Sequence, residues 1–430
     1  LEEAAGAEDP RAAALAALSE ALRQGAAEVE EIVCGERLGG RRAAERQTEI
    51  TDIVLRGALD FVSTHLHPNH YPTRSERLAV VAIGGYGRGE MAPFSDVDIL
   101  FLTPYKKTPW METVVEATLY MLWDLKLKVG QSVRSVAECL KLARQDITIR
   151  TSLLEKRFLW GDEEMTRDLA ETLRRDLFSS TAQEFVEAKL AERDARHARH
   201  GGSRYLLEPN VKEAKGGLRD LQTLYWIAKY IYDADEPEEL VEKGVFRQEE
   251  VDTFNAAERF LWTVRCHLHL LAGRAQEQLT FDYQVQVAER MGFRPEDGRR
   301  AVEVFMQHYF RHAKEVGELT RFFCAALEAD QKKQRPTGVR GFFRALTFGA
   351  TRAAEHGFFI RDGRIDIGEE SFLEEDPLNV LRLFEEGLNT GALIHPNAFR
   401  MVARRLDLVE GLRENPEANA IFMRILVDSD

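Results

Sequence analysis

Asp96 and Asp98 stand two residues apart at the end of Gly84-Gly85-Tyr86-Gly87-Arg88-Gly89-Glu90-Met91-Ala92-Pro93-Phe94-Ser95-Asp96-Val97-Asp98. On a β-strand, residues at that spacing face the same side, so the two carboxylates converge. Like charges held close repel, and a divalent cation relieves the repulsion. Mg²⁺ takes oxygen ligands and is commonly shared between carboxylates and substrate phosphates. Upstream, Gly84 and Gly85 allow backbone N–H groups to approach a phosphate with no Cβ in the way. Ser95 adds a hydroxyl donor, and Arg88 a cation able to pair with a phosphate or to serve as a structural ion-pair partner. The set describes a metal–triphosphate site.

Such a site needs rigid elements beneath it. Leu78–Ile83 is a short apolar run with β-branched residues and reads as a buried strand, stopped by Gly84-Gly85. Val97–Leu102 reads as a second strand, 108–126 as a helix, and Lys128–Arg134 as a third strand. Two helices and a short strand close the unit near Trp160-Gly161-Asp162. Ahead of the sheet, 10–32 and 41–66 carry helical periodicity, with Gly35 to Gly40 between them and Pro68 and Pro72 beyond. Helical periodicity dominates 163–330, interrupted between Tyr205 and Asp220 by Pro209 and Gly216-Gly217. Residues 331–345, with Pro336 and Gly338, read as a linker. Phe358–Ile367 reads as a hairpin around Asp362-Gly363. The fold class is therefore α+β: a small mixed sheet with flanking helices, plus a mainly α-helical domain. The expected divisions are an N-terminal helical segment (1–50), a catalytic sheet domain (51–165), a helical domain (166–330) and a linker with hairpin and short helices (331–430). The active site is expected in the cleft between sheet and helical domain.

Composition narrows the function. The chain has 430 residues, too many for one core, with 44% hydrophobic and 30% charged residues. A formal net charge of −14 argues against nonspecific nucleic-acid binding, which wants a basic surface. Cys34, Cys139, Cys266 and Cys324 are scattered with no CxxC pair, which suits reduced thiols in a cytoplasm better than disulfides or zinc. No apolar run is long enough to span a bilayer, and the acidic, Ala-rich start is no secretory signal. The missing initiator Met points to a trimmed chain.

The glycine–aspartate segment resembles the signature of the DNA polymerase beta-type nucleotidyltransferases. Its extended form, Gly-Gly-Tyr-Gly-Arg-Gly-Glu followed by Pro-x-Ser-Asp-x-Asp, is similar to that of the bacterial PII-protein uridylyltransferases. Leu207–Gln222, with Lys212, Gly216, Gly217, Leu218, Arg219 and Asp220, resembles an element shared with the glutamine synthetase adenylyltransferases. Arg265–Arg274 also looks like the uridylyltransferases. The resemblance implies that Asp96 and Asp98 bind two Mg²⁺ ions, with Mn²⁺ as a substitute. One ion would activate a tyrosine hydroxyl of a PII signalling protein, and the other would steady the β and γ phosphates of UTP. Gly84, Gly85 and Ser95 would hold the triphosphate. Lys212, Gly216, Gly217, Arg219 and Asp220 would approach the nucleotide from the helical domain.

There are departures from that pattern. Many relatives add a third carboxylate from a later strand, and Lys128–Arg134 has none; Asp146 is the nearest candidate in sequence. The family also carries a hydrolytic His-Asp domain and regulatory domains, and this chain has no His-Asp dipeptide. It reads as the transferase portion of a larger protein, without uridylyl removal or glutamine sensing. Two other readings stay open: adenylyl transfer to glutamine synthetase, and a catalytically silent nucleotide-binding module. The Lys212–Asp220 block also reads as a helix N-terminus with glycines for close packing. His267 and His269 read as packed helix residues, Arg196–His200 as a solvated helix end or a cationic rim, and Trp226 and Trp262 as core.

Overall fold

The computed structural model describes the chain apart from residues 71–72, 74, 106, 235–236, 244, 334–357, 362–363, 368–370, 391–392 and 428–430. It separates into two compact units, Leu1–Leu319 and Thr320–Asp430.

The first unit opens with two long helices, α1 (Pro10–Gly35) and α2 (Gly40–Phe61). Asp9 caps α1 by accepting from the Ala12 amide, and Pro10 occupies the first helical position, where its missing N–H costs nothing. The 41–66 helix expected from sequence ends its α-helical part at Phe61, and Val62–Leu66 continues as a π-helical turn. The strands follow as β1 (Ala79–Ala82), β2 (Val97–Leu102), β3 (Val129–Arg134) and β4 (Arg157–Gly161). Their order is β3-β2-β1-β4, with β2 and β3 parallel and the other pairs antiparallel. Between them run α3 (Pro109–Asp124), α4 (Val136–Gln145) and α5 (Ile147–Leu154).

Both faces of this sheet are covered, which explains the unbroken apolar runs of β1 and β2. Val80, Ala82, Ile99 and Phe101 pack on α1, α2 and α3 through Leu18, Val54, Leu55 and Leu119. Ala79, Val81, Leu100 and Leu102 pack on Cys139 of α4, Leu153 of α5 and Leu169 of α6 (Glu163–Asp176). Asp98 shares the parity of Leu100 and Leu102, so it emerges on the α4–α6 face, where the cover stops.

The rest of the unit is helical: α7 (Ala182–Arg199), α8 (Leu218–Tyr232), α9 (Gln248–Ala272), α10 (Phe281–Arg290) and α11 (Ala301–Lys333), the last running into the second unit. The expected linker therefore begins as helix through Lys333, and its remainder lies outside the described residues. The α2 start is locked to α9: the Gly40 amide donates to Thr263 Oγ1 at 3.1 Å, and a Cβ on Gly40 would fall 2.2 Å from the Thr263 nitrogen.

In the second unit β5 (Phe359–Arg361) and β6 (Arg364–Asp366) pair antiparallel, as the hairpin pattern implies, and β7 (Leu393–Ile394) adds in parallel to β6. The Asp362-Gly363 turn lies outside the described residues. Phe358, Ile365, Val380 and Leu383 form that unit's own core. Among the described residues no helix is long and apolar enough to cross a membrane.

Candidate active site

β1 leads into Ile83 in extended backbone and then Gly84 at φ +59°, a left-handed conformation that favours glycine. The chain closes one short helical turn over Gly84–Gly87, with the Gly87 amide donating to Ile83 O at 3.0 Å and the Arg88 amide to Gly84 O at 2.9 Å. The Ile83 amide donates to the Asp98 carbonyl at 3.0 Å, so the turn is tied to β2 beside the aspartates. A Cβ on Gly84 would stand 3.6 Å from Asp98 Oδ2.

Asp96 immediately precedes β2, and Asp98 is its second residue. Burial and then the Asp96 charge push the Asp98 carboxyl above its usual range, with Lys212 pulling the other way. Gly130 of β3 lies opposite Asp98. Among the described residues no group of three or more His, Cys, Asp or Glu side chains could hold a metal. The Asp pair thus supplies part of a hard-cation coordination shell and leaves the other positions to phosphate and water oxygens, the usual arrangement for Mg²⁺. The donor set fits that ion.

The opposing wall comes from the segment between α7 and α8. Asn210 Oδ1 accepts from the Lys212 and Glu213 amides at 3.1 and 2.7 Å. The Val211 amide donates to Glu277 O at 2.8 Å, and the Arg219 amide to Lys212 O at 2.8 Å. Lys212 is thereby held from both sides. Burial, with Arg265 and Arg219 nearby, pushes its ammonium below its usual range. No carboxylate among the described residues lies within ion-pair distance of it. Its neighbours are committed: Arg265 grips Glu277 with contacts of 2.7 to 3.0 Å, and Arg219 reaches Gln222 at 2.8 Å and Glu213 at 3.2 Å. Burial would raise the Glu277 carboxyl, but His269 and Arg265 outweigh it and hold it well below the usual range.

Aspartates, glycine turn and this wall line one cavity of about 440 Å³, which also includes Ser95, Lys189 and Trp226. This cavity lies between the sheet and the helical part.

Several expected ligands turn out to be structural. Arg88 is buried between Glu90, at 2.6 Å, and Glu155, so its charge is already matched and is not held out for a phosphate. Asp220 is fully buried and accepts from Arg196 at 2.5 Å, from His197 at 2.9 Å and from the Gly216 amide at 2.8 Å. Burial would raise its carboxyl, but those donors prevail and lower it. It therefore anchors the wall from behind. Arg196 and His197, read from sequence as a solvated end or rim, are held by that aspartate. Gly216 sits at φ +85° against α11, where a Cβ would fall 2.3 Å from Ala313 O, and a Cβ on Gly217 would lie 2.6 Å from Val211 O. The two glycines serve close packing. Asp146 caps α5, accepting from the Thr148 and Ile149 amides at 2.6 and 3.2 Å, and is not among the cleft residues.

Sequence reasoning missed Glu155, Lys189 and the Arg265–Glu277 pair, and treated Trp226 as core alone. Lys189 is buried, with its ammonium 4.1 Å above the Trp226 ring and 2.7 Å from Glu192. No local motif marks Glu155, Lys189 or Glu277, and the run that holds Arg265 gives no sign of its partner. Their charges meet only after the helices pack.

Comparisons with known proteins agree with this geometry. Residues 71–154 match the nucleotidyltransferase domain model, and residues 184–324 match the model described as GlnD PII-uridylyltransferase. A bifunctional uridylyltransferase/uridylyl-removing enzyme of Ruegeria pomeroyi is 52% identical over 418 residues, covering 97% of this chain and 45% of that protein. One of Cereibacter sphaeroides is 52% identical over 429 residues, covering 99% of this chain and 46% of that protein. The chain thus spans a little under half the length of these relatives. The two matched segments border the cleft that holds Asp96, Asp98 and Lys212, and over nearly its whole length the chain is similar to the corresponding part of the bifunctional uridylyltransferase/uridylyl-removing enzymes.

Proposed function

We propose that this chain transfers UMP from UTP to a tyrosine of a PII signalling protein and releases pyrophosphate. The observation that carries the reading is the placement of the Asp96–Asp98 pair and the ion-pair-free cation Lys212 on one cleft. The names of the relatives support uridylyl as the group transferred, and that of the family model supports PII as the acceptor.

In this reading Asp96 and Asp98 hold Mg²⁺, for which Mn²⁺ can substitute. Bound metal supplies charge stabilisation at the attacking and leaving oxygens. Gly84 and Gly85 let the triphosphate lie against the turn, and Ser95 donates a hydroxyl to it. Lys212 places its ammonium on the phosphates, and Arg219 adds a second cation. The tyrosine hydroxyl gives up its proton to water, its oxygen bonds to the α-phosphorus in line, and the bond to pyrophosphate breaks with its electron pair on the leaving oxygen. The helical wall screens the reacting atoms from bulk water. The scattered cysteines, with no CxxC pair, support a cytoplasmic setting for the reaction.

The test is incubation of the chain with Mg²⁺, α-labelled UTP or ATP, and either PII or glutamine synthetase. Label passing from UTP to PII is the expected result. Label passing from ATP to glutamine synthetase would replace the reading with adenylyl transfer, and no label on any acceptor would leave a nucleotide-binding module.

A further inference from the structure

One buried carboxylate joins the two walls of the cleft. Glu155 follows α5, and its side chain is 2% exposed. A single oxygen, Oε1, accepts from Arg88 Nη1 on the glycine turn and from the Trp226 indole Nε1 on α8. The backbone makes the same connection: a Cβ on Gly87 would fall 1.9 Å from Glu155 O, so the turn rests directly on this residue. On the far side, the Trp226 ring carries the Lys189 ammonium at 4.1 Å and the Arg219 guanidinium at 5.3 Å. Both cations line the cleft.

We propose that Glu155 is a positioning residue for nucleotidyl transfer, setting the spacing between the glycine turn and the cationic wall through Arg88 and Trp226. The inference rests on the functional reading above. Its physical basis is that a buried acceptor shared by two donors fixes both donors at once. Loss of the acceptor leaves a buried guanidinium and a buried indole N–H short of a partner. Glu155 acts on the triphosphate through the elements it joins.

Two variants separate this role from simple support of the fold. Glu155→Gln keeps the shape but turns an amide toward Arg88 or Trp226. Trp226→Phe keeps an aromatic face for Lys189 and removes only the indole end that reaches Glu155. Transfer kinetics with varied UTP, and calorimetric titration of UTP with Mg²⁺ and no acceptor protein, are run on both variants and on the double variant. The expected result is a rise in both KM and Kd for UTP on the order of 10-fold, with a fall in kcat, as misplacement of a binding wall produces. The double variant is expected to be no worse than the poorer single one, because both break the same link.

A purely structural role would reduce the folded fraction and lower apparent kcat at unchanged KM and Kd, and that pattern overturns the proposal. Additive effects of the two substitutions also overturn it. If Glu155→Gln does not fold, Trp226→Phe with wild-type KM and Kd is sufficient to overturn it. Wild-type protein that binds UTP but labels no acceptor would defeat the functional reading instead, and the Kd comparison would still decide the role of Glu155.

Discussion

Gly130 on β3 stands opposite Asp98 on β2, and a Cβ at Gly130 would fall 2.2 Å from Asp98 Oδ1. The strand neighbour of the half-buried Asp98 therefore leaves its carboxylate room that a side chain would take. Gly130→Ala forces the Asp98 carboxylate to shift from this position. It is expected to lower kcat/KM for transfer on the order of 10- to 100-fold. Because only the end of one side chain has to move, the thermal unfolding midpoint is expected to change by about 2 °C or less. Assay and calorimetry on the same preparation check both parts.

The Asp98 carboxyl is raised by burial and by Asp96. Folded Asp98 holds its proton to higher pH than the unfolded chain does. Its ionisation therefore weakens the metal-free fold as pH rises through the raised value, and the effect is absent below the unfolded value near 3.8. Asp96→Asn removes the repelling charge. At neutral pH without metal it is expected to raise the unfolding midpoint by about 1–2 °C. Mg²⁺ is expected to raise the midpoint of the wild type and to leave that of Asp96→Asn nearly unchanged, as preferential binding to the folded state requires. Melting curves at several pH values with and without MgCl₂ measure this.

Lys212 is a half-buried cation of the cleft with no ion-pair partner among the described residues. Its lowered value means that the charged form costs the fold stability at pH values below it. Lys212→Met is therefore expected to stabilise the nucleotide-free protein while weakening UTP binding. A charged hydrogen bond is worth about 1.5–3 kcal/mol, so KM for UTP should rise roughly 10- to 100-fold. Opposite signs for stability and affinity, read by thermal melts and steady-state kinetics, distinguish a ligand-binding lysine from a structural one.

The chemistry was more legible in the sequence than its supports were. Asp96, Asp98 and the glycine turn are close in the chain, and their spacing alone marks a site. β2 could be read to the residue because its apolar run is buried on both faces. Arg88 could not be assigned, because the carboxylate that takes its second contact lies 67 residues away. Asp220 is expected from sequence near the nucleotide or a helix N-terminus and Arg196 at a solvated helix end or rim, and only packing of α7 against α8 makes them a buried pair. For Gly216 and Gly217 the resemblance implies a nucleotide role and the local pattern also allows close packing; Ala313 and Val211 close over the Cβ positions and favour packing.

That reassignment is testable at Asp220. Removing one partner of a buried ion pair typically costs 3–5 kcal/mol. Asp220→Ala should therefore lose about that much stability, with Arg196 and the Gly216 amide left unmatched. At a temperature where the variant is still folded, its KM for UTP is expected to stay within about 3-fold of wild type, since its carboxylate faces the protein and not the nucleotide. Denaturant unfolding and low-temperature kinetics give the two quantities.

The most direct test of the account is single-turnover transfer of label from α-labelled UTP to PII in Mg²⁺ by wild type, Asp96→Asn and Asp98→Asn. Each substitution removes a carboxylate from the metal position, and the account predicts a loss of at least about 10³-fold in rate for each with the fold intact. Near-wild-type turnover by either folded variant would contradict it.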